Sequence, residues 1–198
     1  MSVVSANMSM SLDGFIADAD HSVGRLFDWY QSGESRYAFP DPRFTAHVSV
    51  PTVRLLKQSA AATGAVIIGR RVFDQTHGWG GNHPVSVPVF VVTHSAPVDW
   101  PKDNTNFTFV TDGVASAVTK ARECAPGKVI SVAGASIVQQ LLDARLLDEL
   151  VVNLVPIVLG GGTPLFAHLA KTPIRFCGPT RVVDGAGVTH LTYSVDKS

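Results

Sequence analysis

A short segment from Val66 to Phe73 carries residue types that suit the binding of an anion. It runs from an apolar, β-branched stretch through Gly69 into a helical pattern that opens with Arg70 and Arg71. A glycine allows the backbone to approach a ligand closely, and the N–H groups and dipole of a helix N-terminus attract anions. Two arginines oppose that dipole unless an anion is bound, although they could also be solvated or pair with Asp74. The segment therefore indicates a phosphate-binding turn.

A second strand-to-helix junction lies at Val129–Val132 and continues into Gly134 and Ser136. It is not a Walker loop, since no Gly-Lys-Ser/Thr occurs, and it lacks the G-x-G-x-x-G spacing of the dinucleotide-binding fingerprint. Taken alone, it could be an ordinary turn in which Ser136 caps the helix. Two glycine-bearing helix starts in one sheet nevertheless suit a ligand that has several phosphates.

Ser136 also allows a serine-hydrolase interpretation. Asp184 and His190 follow it in the chain order of an α/β-hydrolase triad. However, Val138 stands where the nucleophile elbow has its second glycine, and Asp184 falls in a predicted hairpin turn. The pattern therefore disfavours a hydrolase.

The seven histidines are scattered along the chain. His77, His83 and His94 lack the spacing of metal ligands, so no metal site is expected. His94 follows Thr93 at a predicted strand end, where open α/β sheets bind ligands. A solvated loop histidine is the alternative there.

Three further positions combine polarity or aromaticity with an unusual setting. Asn153 interrupts the apolar run Leu150–Val155, and a buried amide must be hydrogen-bonded either to a neighbouring backbone group or to a ligand. Asp13 and Gly14 form either a simple turn or a strand break that faces a cleft. Trp79 is either a packed loop residue or part of a pocket wall.

The elements that must position these residues alternate between strand and helix, which predicts one α/β domain over residues 1–198 with a mostly parallel sheet. Residues 18–50 show weak periodicity and are expected to form a long irregular excursion. Asp112 is a candidate N-cap, and Asp184–Gly187 a hairpin turn. The predicted strands are Val3–Leu12, Phe15–Ala17, Ala65–Ile68, Val87–Thr93, Phe107–Val110, Val129–Val132, Glu149–Leu159, Ile174–Val183 and Val188–Val195, and the predicted helices are Pro51–Ala62, Arg70–Gln75, Val114–Cys124, Ile137–Leu147 and Leu165–Leu169.

Composition limits the possible partners. The 198 residues are 45% hydrophobic and 16% charged, and 16 Lys+Arg balance 16 Asp+Glu. This balance lacks the basic footprint needed for nucleic acid or for an anionic membrane surface. The two cysteines, Cys124 and Cys177, form no C-x-x-C motif, and no signal-peptide or membrane-spanning pattern occurs. A cytoplasmic location is expected.

In combination, these motifs resemble the dihydrofolate-reductase-like superfamily, and within it the reductase domain of bacterial riboflavin biosynthesis. The resemblance covers almost the whole chain except residues 20–50. It is carried, in order, by Ser11–Ala17, Ile67–Phe73, Val89–His94, Ala133–Ser136, Leu146–Leu150 and Pro156–Phe166.

The resemblance implies a mainly parallel sheet of about eight strands flanked by helices, a C-terminal antiparallel hairpin, and NADPH lying across the strand ends. It places the nicotinamide beside Met8, Ser9, Ile16 and Ala17. It places the phosphate-binding turn at Gly69, Arg70, Arg71 and Val72, and the adenosine 2′-phosphate at Thr93, His94 and Ser95. It places the pyrophosphate turn at Gly134, Ala135, Ser136 and Ile137.

The implied activity is NADPH-dependent reduction of a small heterocycle, with 5-amino-6-(5-phosphoribosylamino)uracil as the first candidate. Asn7, Asp13 and Asn153 are the polar residues expected near the reacting carbon. Two departures are visible: Val53–Lys57 offers no carboxylate of the folate-reductase kind, and Asn7 replaces the lysine usual in riboflavin-type reductases. A pterin or another imine is the alternative substrate, and a non-catalytic nucleotide-binding module is the alternative class. A homodimer is also expected, since the C-terminal hairpin would leave an apolar edge to cover.

Overall fold

The computed structural model describes residues 2–100 and 106–198. Its strands are β1 (Val3–Ser11), β2 (Phe15–Ala17), β3 (Ser35–Ala38), β4 (Thr45–Val48), β5 (Thr63–Gly69), β6 (Val89–Val92), β7 (Phe107–Val110), β8 (Val129–Ala133), β9 (Glu149–Val155), β10 (Thr163–Pro164), β11 (Phe176–Gly185) and β12 (Val188–Val195). Its α-helices are α1 (Val50–Ala62), α2 (Arg70–Thr76), α3 (Val114–Cys124) and α4 (Ala135–Asp143), and 3-10 helices cover Gly24–Gln31 and His77–Gly81.

Eight of these strands form one sheet in the order β11-β12-β9-β1-β8-β5-β6-β7. The six strands from β9 to β7 run parallel to one another, whereas β12 lies antiparallel to both β9 and β11. The predicted α/β class, the mostly parallel sheet and the antiparallel C-terminal hairpin are therefore confirmed.

Side-chain alternation determines which face of each strand meets which core. On β5, Ala65 and Ile67 join the cluster under α3 and α4, while Val66 and Ile68 join the cluster around Phe73 on the opposite face. Because successive side chains point to opposite faces and both faces are covered, this central strand is apolar from Ala65 to Ile68. β1 differs, since its second face carries serines and Asn7. β1 therefore carries a polar stripe on the face of the sheet opposite α3 and α4.

Two predicted helices need correction. α4 ends at Asp143 rather than at Leu147, because Ala144 and Arg145 turn the chain and Arg145 has a φ of 56°. Residues 165–169 form no helix. Leu165 instead bonds through its N–H to the Gly14 carbonyl, at 2.9 Å, and through its carbonyl to the Gln139 side chain, also at 2.9 Å. These outside partners replace the local bonds that a helix would make.

Residues 18–50 are also more regular than expected. They contain the 3-10 helix Gly24–Gln31 and the antiparallel pair β3–β4. Leu26, Trp29 and Tyr37 pack there with residues of β4, β9 and β12 in a core of their own. The segment is therefore a packed cover on the sheet and not an irregular loop.

Several predicted boundaries shift by local chemistry. β9 ends at Val155, since Pro156 has no N–H for the ladder. Gly113, not Asp112, occupies the N-cap of α3, and Asp112 accepts hydrogen bonds from Ser116 and Lys120 instead. Asp184 lies within β11, so the hairpin turn is only Ala186–Gly187. Among the described helices, none combines the length and apolar character needed to cross a membrane.

Candidate active site

One cleft of about 1540 Å³ opens along the face of the sheet that carries Asn7. Every residue predicted for the site, with the exception of Asp13, lines this cleft. The set is Asn7, Met8, Ser9, Ile16, Ala17, Gly69, Arg70, Arg71, Val72, Thr93, His94, Ser95, Gly134, Ala135, Ser136, Ile137 and Asn153. Residues up to 146 positions apart in the sequence therefore meet at one place.

The two glycine turns face each other. β5 and β8 are parallel neighbours, so their C-terminal ends lie at the same edge of the sheet. A Cβ on Gly134 would lie 3.3 Å from Val72 Cγ2 and 3.9 Å from the Gly69 nitrogen, and the φ of Gly134 is 104°. Gly134 is the N-cap of α4, and no side chain caps that helix. This arrangement leaves a narrow cradle of backbone N–H groups that suits a pyrophosphate.

Arg70 stands beside this cradle in a defined orientation. Its Nε donates to Asp74 Oδ1 at 2.7 Å, and its Nη1 donates to the Ser95 carbonyl at 3.1 Å. The expected pairing with Asp74 is therefore present, and Arg70 lines the cleft as well. Thr93 Oγ1 donates to the same Ser95 carbonyl at 2.9 Å, which fixes the turn after β6. Arg71 is exposed and also reaches the cleft.

A chain of side-chain hydrogen bonds runs from the cleft into the protein. Asn7 Oδ1 accepts from Asn153 Nδ2 at 2.7 Å, and Asn153 Oδ1 lies 2.7 Å from His190 Nδ1. His190 Nε2 is 3.1 Å from Thr52 Oγ1, which in turn is 3.1 Å from Ser49 Oγ. Asn153 thus bonds to side chains, which is neither of the two alternatives that the sequence left open.

Strand register explains why these residues meet. Asn153 on β9 is paired with His190 on β12 and with Ser9 on β1, two residues after Asn7. Residues two apart on a strand share a face, so Asn7 lies diagonally across from Asn153. The polar stripe of β1 therefore continues over two neighbouring strands.

The hydrogen bonds fix the protonation of His190. An amide oxygen only accepts, so Nδ1 carries the proton and Nε2 accepts from the Thr52 hydroxyl. Burial, with a smaller contribution from Arg181, lowers the pKa of His190 to about 4. The ring is consequently neutral near pH 7. None of the described residues accepts a hydrogen bond from Asn7 Nδ2, and Asn7 lines the cleft, so this amide is available as a neutral donor.

An aromatic cluster adjoins the polar face of β1 at Ser9. Trp29 is buried, donates from Nε1 to Ser9 Oγ at 3.1 Å, and stacks on Tyr30 with 3.8 Å between ring centroids. Tyr30, Phe27 and Phe39 reach the cleft surface. Burial, with Tyr37 adding to it, raises the pKa of Tyr30 to about 12, so its phenol stays protonated.

Asp13 lies away from the cleft wall. Its carboxylate accepts from Ser11 Oγ at 2.6 Å and from the N–H groups of Leu159 and Gly160 at 3.1 and 2.7 Å. These hydrogen bonds lower the pKa of Asp13, with the bond from Ser11 contributing most. The carboxylate thereby holds the glycine segment after β9 against the turn after β1.

The two alternative chemistries find no support in the geometry. Both nitrogens of His190 are bonded, to Asn153 and Thr52, so it forms no triad with Ser136 and Asp184. Ser136 lies inside α4 and is not its cap. Residues 2–100 and 106–198 contain no cluster of metal-ligating side chains. Trp79 meets both of its sequence interpretations, since it packs in a core cluster and lines the cleft.

Sequence reasoning missed two contributors to this site. The sequence suggests His190 only as a hydrolase base and gives no indication of Trp29. The alternation along β12 places His190 on the Asn153 face, but this follows only when the register with β9 is known. The sequence carries no comparable signal for Trp29, because its 3-10 helix lies in a segment of weak periodicity.

Comparison with known proteins decides the family. Residues 2–177 match the RibD C-terminal domain. The chain belongs to this family. A relative by sequence is the uncharacterized protein YwjB of Bacillus subtilis, which is 23% identical over 172 residues, or 86% of this chain and 87% of the relative.

Solved structures agree with this assignment. A protein of Shewanella sp. PV-4, provisionally assigned to riboflavin biosynthesis, is 25% identical, matches 100% of both chains and superposes with a TM-score of 0.68. Dihydrofolate reductase of Enterococcus faecalis, solved with NADP(H), is 15% identical, matches 98% of this chain and 97% of its own, and gives a TM-score of 0.56. The fold is therefore dihydrofolate-reductase-like, and the family is one of reductases.

Proposed function

We propose that this protein of the RibD C-terminal domain family is an NADPH-dependent reductase of a small conjugated heterocycle. The observation that carries the proposal is the meeting of the Gly69 and Gly134 turns beside Arg70 at one edge of the sheet. Backbone N–H groups suit a pyrophosphate, and an arginine fork suits a terminal phosphate. The residues present thus fit a phosphorylated dinucleotide.

When bound, the reduced nicotinamide supplies the hydride. The protein's part is to bind and orient the substrate and to polarise its reacting bond. Met8, Ser9, Ile16 and Ala17 line the part of the cleft where the nicotinamide is proposed to lie. Asn7 Nδ2 donates a hydrogen bond to an acceptor on the substrate, while Asn153 holds Asn7 in that orientation. Asp13 contributes indirectly, because its carboxylate holds the glycine segment that begins at Gly160.

The first substrate to test is 5-amino-6-(5-phosphoribosylamino)uracil, the compound implied by the family resemblance. A dihydropterin is the second, although no Asp or Glu of the described residues lines the cleft to act as a pterin acid. Hydride would pass to an imine-like carbon of the opened ribose in the first case, and to a ring imine in the second.

The test combines cofactor binding with turnover. Purified protein is titrated with NADPH, and substrate-dependent loss of reduced-nicotinamide absorbance is then followed with both compounds. We expect saturable NADPH binding and oxidation that requires substrate. Asn7→Leu should keep NADPH affinity and lose most of the turnover. Saturable binding without any oxidation would favour a nucleotide-binding module, and failure to bind NADPH would refute the proposal.

A further inference from the structure

The cleft is divided by charge. Among the described residues that line it, the lysines and arginines are Arg70 and Arg71 alone, both on α2 beside the glycine turns. Everything that residues 23–63 contribute to the cleft is uncharged, and half of these ten residues are large apolar or aromatic side chains, namely Phe27, Tyr30, Phe39, Phe44 and Leu56. The cationic end and the aromatic end are therefore built by different segments.

Arg43, in the turn between β3 and β4, is held by Asp41 and by two backbone carbonyls. Arg43 adjoins the cleft residue Phe44, but its Nε contacts both carboxylate oxygens of Asp41 at 3.0 Å. Its Nη2 donates to the carbonyls of Trp79 and Asn82 at 3.0 and 3.3 Å. Asp41 is itself buried, so the pair carries no net charge. Arg43 is not among the residues that line the cleft, and its Nε and Nη2 are already bonded, so it is not placed to bind a phosphate there.

His83, one of the histidines that line the cleft, is neutral near pH 7. His83 lines the cleft, its Nδ1 accepts from the Val85 N–H at 3.1 Å, and its ring packs edge-on against Trp79. Burial lowers the pKa of His83 to about 4. A phosphate dianion placed against this wall would lose hydration without gaining an ionic partner.

We infer that the substrate end of the cleft binds an uncharged planar ring with a hydrogen-bond acceptor on its edge, and that the described residues of this end form no site for a substrate phosphate. The aromatic side chains supply flat contact area, and Asn7 Nδ2 supplies the donor. This inference rests on the proposed function for its reaction. It restricts the substrate to molecules that have no phosphate on the ring or its side chain, and so favours the unphosphorylated 5-amino-6-(ribosylamino)uracil over the phosphorylated compound proposed first above.

The experiment compares one ring with and without a phosphate. Protein saturated with NADP⁺ is titrated calorimetrically with 5-amino-6-(ribosylamino)uracil and with its 5′-phosphate. We expect the unphosphorylated compound to bind and the phosphate to add no affinity. Tighter binding of the phosphorylated compound, or no binding of either one, would overturn the inference.

A charge variant provides the matched control. Ser59 lies exposed on α1 and lines the cleft, whereas Ala61 lies exposed on the same helix outside it. Ser59→Arg should make the phosphorylated compound bind about tenfold more tightly than the unphosphorylated one, since a hydrogen-bonded charge pair contributes roughly 1.5–3 kcal/mol. Ala61→Arg should leave the wild-type order unchanged. An equal response of both variants would overturn the inference.

Turnover separates this inference from the proposed function. Binding of the unphosphorylated ring without nicotinamide oxidation would refute the reductase activity and leave the inference standing. Oxidation that proceeds faster with the phosphorylated compound, at limiting concentrations of both, would do the reverse.

Discussion

His190 Nδ1 lies 2.7 Å from Asn153 Oδ1, although the two residues sit 37 positions apart on antiparallel strands. The contact orients the Asn153 amide, and that amide orients Asn7 at the cleft surface. Because His190 is only 2% exposed, water cannot replace it as the partner of Asn153. A buried histidine is thus linked through Asn153 to the orientation of Asn7 in the cleft.

His190→Phe should lower kcat more than it changes the affinity for NADPH. The variant leaves Asn153 Oδ1 without its donor, and a buried unsatisfied acceptor costs about 1–3 kcal/mol of stability. Steady-state kinetics, NADPH titration and urea unfolding would measure the three quantities. His190→Gln, which keeps an amide donor, should recover part of the kcat. Equal kcat values for the phenylalanine variant and the wild type would contradict the positioning role.

Stability should fall as the pH drops below the ordinary histidine range. The pKa of His190 is lowered to about 4 from its usual value of 6.5, so the unfolded chain binds more protons than the folded one between these values. The cost of burying neutral His190 is therefore smallest above about pH 6.5. Lowering the pH from about 7 to about 5 should reduce the free energy of unfolding by about 2 kcal/mol through this one group. Urea unfolding midpoints at the two pH values, compared between wild type and His190→Gln, separate the loss of stability due to His190 from the loss due to His83. A pH effect of the same size in both proteins would count against it.

Arg70→Ala should weaken NADPH binding by about ten- to a hundredfold, because one charge-assisted hydrogen bond contributes roughly 1.5–3 kcal/mol. NADH, which lacks the 2′-phosphate, should be affected far less. Asp74→Asn is the matched control, since it removes the partner of Arg70 at 2.7 Å and leaves the guanidinium in place. Arg71→Ala tests the neighbouring fork. Retention of the wild-type cofactor preference in both arginine variants would refute the proposal that Arg70 or Arg71 binds the 2′-phosphate.

Asp13→Asn should lower the melting temperature, because the Leu159 and Gly160 N–H groups lose a charged acceptor. The expected effect on NADPH affinity is small, since the side chain does not reach the cleft. Thermal unfolding and NADPH titration on the same preparation would separate the two effects. A large loss of kcat at unchanged stability would instead support a role for Asp13 near the reacting carbon.

A homodimer remains the expected assembly, through the exposed strand β11 at the end of the sheet. Val182 on that strand is 54% exposed, and an uncovered edge favours pairing with a second copy. Sedimentation velocity at micromolar concentration should give twice the 21.0 kDa chain mass. Val182→Glu should shift the protein towards monomer without changing NADPH affinity. A wild-type species of single-chain mass would defeat the prediction.

The sequence predicts that the residues of the proposed cofactor end lie together, because its signals there are local. Gly69 and Gly134 each stand directly between a strand and a helix, so the pattern itself places them at one sheet edge. The contact between Asn153 and His190 depends instead on the register of two strands, which no local pattern encodes. The antiparallel pair β3–β4 could not be predicted from the sequence for a similar reason. Its strands are four residues each, and they are held by packing of Trp29 and Tyr37 against distant strands.

The aromatic cover is one uninterrupted stretch of chain, from Gly24 to Val48, and the glycine turns come only after Thr63. The aromatic contacts proposed for the substrate are therefore separate in sequence from the turns proposed for the coenzyme. Changes in this one segment can alter those contacts while the proposed NADPH-binding turns, Asn7 and Asn153 stay unchanged. Grafting that segment onto a relative should transfer the donor's choice of substrate and leave the recipient's choice between NADPH and NADH as it was.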